Sequence, residues 1–177
     1  YESAEDTKVK PCLFYIHGGG FGYKAAPYHK KLACIYSKLA DCKVVFPDYH
    51  LLPEYPYPAA AEDVLTVYEW VCKHAGILEI DTTRIAVAGD SAGGALAAGL
   101  CRQIEEKELP TPCFQMLIYP VTDARMLTAS MEKYAFRSVA NSSSEPCVLS
   151  FSDSSFWVSS VCFRLTIHSC KSSGCFC

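Results

Sequence analysis

The chain has 177 residues, half of them hydrophobic and a fifth charged, with a net charge of -3. That is enough for one globular domain with a sizeable core. It excludes a bilayer-spanning helix, because no apolar run reaches the ~18 residues a span needs, and the lack of a basic run excludes nucleic acid as a partner.

The first stretch, "YESAEDTKVK", is polar, without an initiator Met and without the layout of a signal peptide. The expectation is a fragment or processed form with a cytoplasmic location. "CLFYIH" then reads as a buried strand that runs into three consecutive glycines, Gly18 to Gly20. "PYHKKLACIYSKLA" reads as a helix, with Pro27 near its start and Leu32, Ile35, Tyr36 and Leu39 as its apolar face. "KVVFPDY" is a second strand. A second helix follows in "PAAAEDVLTVYEWVCKHAG", with a stripe of Val64, Val67, Tyr68 and Val71 and a stop expected at Gly76. "RIAVAGD" is a third strand, "AGGALAAGLCRQIEEKEL" an alanine-rich helix ended by Pro110, and "CFQMLIYP" a fourth strand. Strands apolar on both sides, separated by helices, predict an α/β fold: parallel central strands flanked by helices. The last strand is expected to leave an open, apolar edge that self-associates, unless the later segment "SVCFRLTI" covers it.

Composition changes near Phe136. Four serines precede it, whereas the last 41 residues hold thirteen serines and five of the eleven cysteines. Residues 1–136 therefore read as the folded core and 137–177 as a Ser/Cys-rich, poorly ordered tail. The six cysteines from Cys12 to Cys113 are scattered singly and no CxxC occurs. They read as free structural thiols, with no metal site and no cofactor.

Two motifs carry chemistry. "GDSAGG", with Gly89, Ser91 and Gly93 in the G-x-S-x-G pattern, lies between the third strand and the alanine-rich helix. A nucleophile on so tight a turn needs neighbours nearly free of side chains, and the helix behind it aims its first amides at developing negative charge. Ser91 is the candidate nucleophile and Ala92 a candidate oxyanion donor. The motif lacks the Lys-Ser/Thr ending of a P-loop and the GxGxxG spacing. "HGGG", His17 to Gly20, supplies what such a site needs opposite the nucleophile: bare backbone amides that a substrate carbonyl can approach. Gly18, Gly19 and Gly20 thus join Ala92 as the candidate oxyanion hole. His17 is expected to fix the loop's shape rather than to act as the base.

These motifs, with "DYHLLPEYPYPAAAED" and "LIYPVTD", make residues 11–135 resemble the hormone-sensitive-lipase-like branch of the α/β-hydrolases, mostly microbial esterases. The resemblance implies a partial α/β-hydrolase fold whose cap and C-terminal strands are missing. It implies Ser91 as nucleophile, amides of Gly19, Gly20 and Ala92 as oxyanion donors with Gly18 shaping the loop, and Phe21, Gly22 and Tyr23 lining the acyl or alcohol pocket. Glu54 and Asp63 become structural partners, and His50 stands where the family usually has Arg. The family's acid and base segments have no counterpart. By order alone, Asp123 or Asp153 with His168 are the remaining candidates, and the latter two fall in the tail. The implied function is hydrolysis of small-molecule, short-chain carboxylic esters through a serine acyl-enzyme. The alternative is an inactive fragment, or a binding derivative without acid and base.

Overall fold

The four apolar runs form four strands, all parallel. The computed structural model describes residues 9–123 and Arg125. In chain order the elements are β1 (Lys10–Ile16), α1 (Pro27–Leu39), β2 (Lys43–Val45), α2 (Ala59–Lys73), α3 (Ala75–Leu78), β3 (Ile80–Asp90), α4 (Ala92–Glu106) and β4 (Phe114–Ile118). The sheet order is β2-β1-β3-β4. Each crossover between parallel neighbours passes through a helix, as parallel pairing requires.

β1 and β3 are the two inner strands, and their register pairs Ile16 with Gly89. HGGG and GDSAGG therefore leave from the carboxyl ends of adjacent strands at the same level. That edge is where open parallel sheets bind ligands, because the loops there diverge and the helices that follow aim their amino ends toward it.

Alternation along β1 builds the core on both faces. Phe14 and Ile16 point to one side, where Val64, Tyr68, Val87, Leu100 and Ile104 bury them. Tyr15 points to the other side, against Ala33, Val44 and Ala88. Helices α2 and α4 cover the first face and α1 the second. Phe14 meets Tyr68 edge-on at 5.5 Å, and truncating such a buried ring to Ala costs about 3–5 kcal/mol.

Three sequence expectations change. The fully buried face of α1 is His29, Ala33 and Ser37; of the apolar set, Tyr36 packs on the core and Leu32 is half-buried, whereas Leu39 is 83 % exposed and Ile35 37 %. Two polar residues can lie inside because each has a partner, Ser37 Oγ donating to Cys42 O at 2.8 Å and His29 reaching Asp90. Gly76 does not stop α2, which ends at Lys73. Gly76 lies within α3, and the left-handed residue that closes that turn is Glu79, at φ 53°. The third strand begins earlier than "RIAVAGD", at Ile80.

β4 is half-buried at all five positions. Among the described residues it pairs only with β3. None of the six described cysteines is in a disulfide. Burial pushes the Cys12 thiol up to about 12, which makes it a packing group rather than a nucleophile.

Candidate active site

β3 ends at Asp90, and one residue turns the chain into α4. That residue, Ser91, has φ 52° and ψ −118°. A side-chain-bearing residue pays of order 1–3 kcal/mol for such backbone, and it persists only where the surroundings impose it. Here β4 imposes it. Ser91 N–H donates to Ile118 O at 2.9 Å, and Ser91 O accepts Val121 N–H at 3.1 Å and Ala95 N–H at 3.2 Å.

The glycine spacing follows from close backbone approach. A Cβ on Gly89 would lie 2.2 Å from Gly93 O, and one on Gly93 would lie 2.2 Å from Ile16 O. Either would push α4 off the end of the sheet. One on Gly18 would lie 3.1 Å from Ser91 Cβ, so the HGGG loop rests directly against Ser91.

The loop is a tight coil. Gly19 and Gly20 have φ 134° and 59°, and Phe21 shares the left-handed region at φ 60°. Gly22 N–H and Tyr23 N–H both donate to Gly19 O, at 3.1 and 2.9 Å, and Leu52 N–H holds Phe21 O at 2.9 Å. The amides divide by use. Gly18 N–H donates to Asp90 Oδ1 at 3.1 Å, whereas the N–H groups of Gly19, Gly20 and Ala92 have no acceptor among the described residues. Phe21 packs against the core, and Tyr23 is 57 % exposed. Gly22 lies under the segment after β2, 3.6 Å from Leu52 O by its would-be Cβ.

His17 does what the sequence suggests. Its Nδ1–H donates to Gly18 O at 2.7 Å. Tyr49 stacks on the ring at 4.5 Å and donates its hydroxyl to His17 O at 2.7 Å. Burial lowers the ring's basicity, partly offset by the Gly18 carbonyl.

Sequence reasoning missed Asp90, His29 and Tyr15. Asp90 is 4 % exposed. Its Oδ1 accepts Tyr15 OH at 2.9 Å as well as Gly18 N–H, and its Oδ2 meets His29 Nε2 at 3.2 Å. Burial, then the charge of Asp90, push the Tyr15 hydroxyl well above its ordinary range. The available signal was a carboxylate on the last turn of a strand buried on both faces, which needs several donors.

Among the described residues no histidine nitrogen bonds the Ser91 hydroxyl. Asp123 is on the surface, where Arg125 binds it at 2.8 Å and holds its carboxyl down at about 2. Asp153 and His168 lie outside the described residues. Asp63 accepts His50 N–H at 2.8 Å and His50 Nδ1–H at 2.7 Å, so His50 keeps a structural contact to this carboxylate. Glu54 is exposed.

Ser91 thus sits on a strand–Ser–helix elbow facing a glycine loop, and a family model described as alpha/beta hydrolase fold matches residues 13–154. The chain belongs to the α/β-hydrolase family. The match runs past the composition break at Phe136. Among curated relatives, this α/β-hydrolase is 38 % identical over 123 residues to an ethyl acetate hydrolase of Pseudomonas putida, covering 69 % of the chain and 39 % of the relative. It is 42 % identical over 117 residues to the esterase LipI of Mycobacterium tuberculosis, covering 66 % and 37 %. The solved esterase LipW of Mycobacterium marinum superposes with a TM-score of 0.66 at 41 % identity, over 71 % of this chain and 40 % of that one. A bacterial heroin esterase superposes with a TM-score of 0.70 at 33 % identity, over 74 % and 41 %. The relatives are named esterases, in keeping with the branch read from the motifs, and the chain spans about two fifths of their length. No described helix is long and apolar enough to cross a membrane.

Proposed function

We propose that this chain carries the nucleophile and oxyanion site of a carboxylic ester hydrolase acting on short-chain esters. The reading rests on one observation: Ser91 sits in imposed, strained backbone with the HGGG loop against it, and the amides of Gly19, Gly20 and Ala92 are left without acceptors. Ser91 Oγ attacks the acyl carbon as its proton passes to a base, and the carbonyl oxygen gains charge opposite these amides. Collapse expels the alcohol, and water then releases the acid from the acyl-enzyme. Gly18 shapes the loop, and Phe21, Gly22 and Tyr23 border the ester. The reaction needs no metal or organic cofactor.

The alternative of an inactive or binding derivative is favoured by one fact: no described histidine reaches Ser91. Loss of the triad's proton-transfer partners costs on the order of 10⁴ to 10⁶ in turnover and leaves ~10³-fold over water. Hydrolysis of p-nitrophenyl acetate and butyrate by the purified chain separates the readings. We expect a slow rate that Ser91→Ala removes and His168→Ala leaves unchanged. A rate that survives Ser91→Ala defeats the esterase reading. Turnover above about 1 s⁻¹ lost in both variants would assign the base to His168.

The location we infer is cytoplasmic, on the free thiols of the described cysteines, with an ester as small-molecule partner and no nucleic acid. The half-buried β4 edge is a surface for self-association. Size-exclusion chromatography is expected to give oligomers, and a clean monomer would rule this out.

A further inference from the structure

The chemistry so far uses backbone amides and one hydroxyl, and leaves a buried polar cluster unexplained. Asp90, Tyr15 and His29 come from three different elements: the end of β3, the next-to-last residue of β1 and the first turn of α1. All three are at most 4 % exposed. A buried carboxylate is retained only where several donors satisfy it. Here they are Tyr15 OH, Gly18 N–H and His29 Nε2.

The partners fix the protons. His29 Nδ1 accepts Ala26 N–H at 3.0 Å, so the ring's proton is on Nε2 and is donated to Asp90 Oδ2. His29 is the third residue of α1, and Ala26, just before the helix, has no side-chain oxygen to cap it. The imidazole therefore supplies the returning half of a capping box and passes the constraint to Asp90. Asp90 passes it to Gly18, whose Cβ position lies 2.5 Å from Asp90 Oδ2. A chain of directed hydrogen bonds runs from the amino end of α1, through His29 and Asp90, to the glycine next to Ser91.

We propose that Asp90 and neutral His29 are positioning residues that hold the oxyanion loop in register with Ser91. The inference rests on the esterase reading of that loop. The directions of the hydrogen bonds are what matter. Asp90→Asn keeps an acceptor for Tyr15 and Gly18 but turns an N–H toward the His29 N–H. His29→Glu keeps an acceptor for Ala26 N–H, since Glu at the third helical position is the usual capping-box residue, but sets two carboxylates together. The double variant restores a donor facing an acceptor at that contact and keeps one carboxylate in the cluster.

The test is phosphonylation of Ser91 by a p-nitrophenyl alkylphosphonate. The bond from Ser91 Oγ to phosphorus forms, the aryl ester bond breaks, and p-nitrophenolate is released as the hydroxyl proton goes to buffer. The burst amplitude counts competent protein, and the rate reports how well the phosphoryl oxygen is held. Removing one oxyanion donor typically costs 10²–10³ in rate. We expect each single variant to lose about 10²-fold in limiting rate, with amplitude and half-saturating probe concentration little changed, and the double variant to return to within about tenfold of the parent. Singles that react at the parent's rate overturn the proposal, as does a double variant as slow as the singles, which would reduce Asp90 to a packing group. If either single fails to fold, Tyr15→Phe decides, because it keeps the ring and removes only the hydroxyl. A several-fold slower rate at full amplitude supports the proposal and an unchanged rate overturns it. A parent chain that gives no burst would defeat the esterase reading itself, which separates the two failures.

Discussion

His29 meets Asp90 at 3.2 Å beneath the elbow, and His50 meets Asp63 at 2.7 Å on the surface. The residue types are the same, and the surface contact is the shorter. The surroundings differ: side-chain exposure is 2 % and 6 % in the first pair and 53 % and 30 % in the second. In the exposed pair, water can replace either partner. In the buried pair nothing can, and the carboxylate also holds a tyrosine hydroxyl and a loop amide. By distance the surface contact ranks first, whereas by burial and the number of dependent donors the buried one does.

The largest effect expected from this contrast comes from Asp90→Ala. It leaves three buried donors unpaired, and each orphan costs about 1–3 kcal/mol, so a loss of at least about 3 kcal/mol is expected. Urea unfolding against the parent measures it, and a loss under about 1 kcal/mol would place Asp90 with the surface pair. A smaller effect comes from His17, which lies between the two regions and is buried without charge. Burial lowers its folded basicity below the ordinary 6.5. Its contribution to stability is therefore complete above 6.5 and is lost as pH falls through the lower folded value, because the unfolded chain binds the proton first. The urea midpoint is expected to fall on the acid side of 6.5, and His17→Asn to flatten that limb. A midpoint rising with acidity would contradict the assignment. The smallest effect is that of His50→Ala, about 0–1 kcal/mol. The backbone N–H at position 50 stays on Asp63, so the segment keeps its tie to α2. A loss matching that of Asp90→Ala would erase the distinction.

The same contrast explains what the sequence discloses. GDSAGG and HGGG are legible because backbone crowding acts at fixed spacing: Gly93 must let Ile16 O approach, and Gly18 must let Asp90 and Ser91 approach. The stripe on α2 is legible because Val64, Tyr68 and Val71 are apolar and buried. α1 is not, since its inner face is built on His29 and Ser37, which hydropathy assigns to water. Their burial depends on acceptors that hydropathy does not register: Asp90, far along the chain, for His29, and Cys42 O in the turn before β2 for Ser37. Asp90 hides for the same reason, as the variable letter of a motif whose glycines and serine draw attention. The end of α2 was misplaced because Gly76 looks like a stop, whereas the chain breaks at His74 and takes its left-handed residue at Glu79.

The central claim is that the amides of Gly19, Gly20 and Ala92 and the hydroxyl of Ser91 form one site. A crystal structure of the phosphonylated chain tests it most directly. The account predicts phosphorus on Ser91 Oγ and the phosphoryl oxygen within about 3 Å of at least two of those amides, with Gly18 N–H still on Asp90. An adduct on another residue, or a phosphoryl oxygen turned away from all three amides, would contradict it.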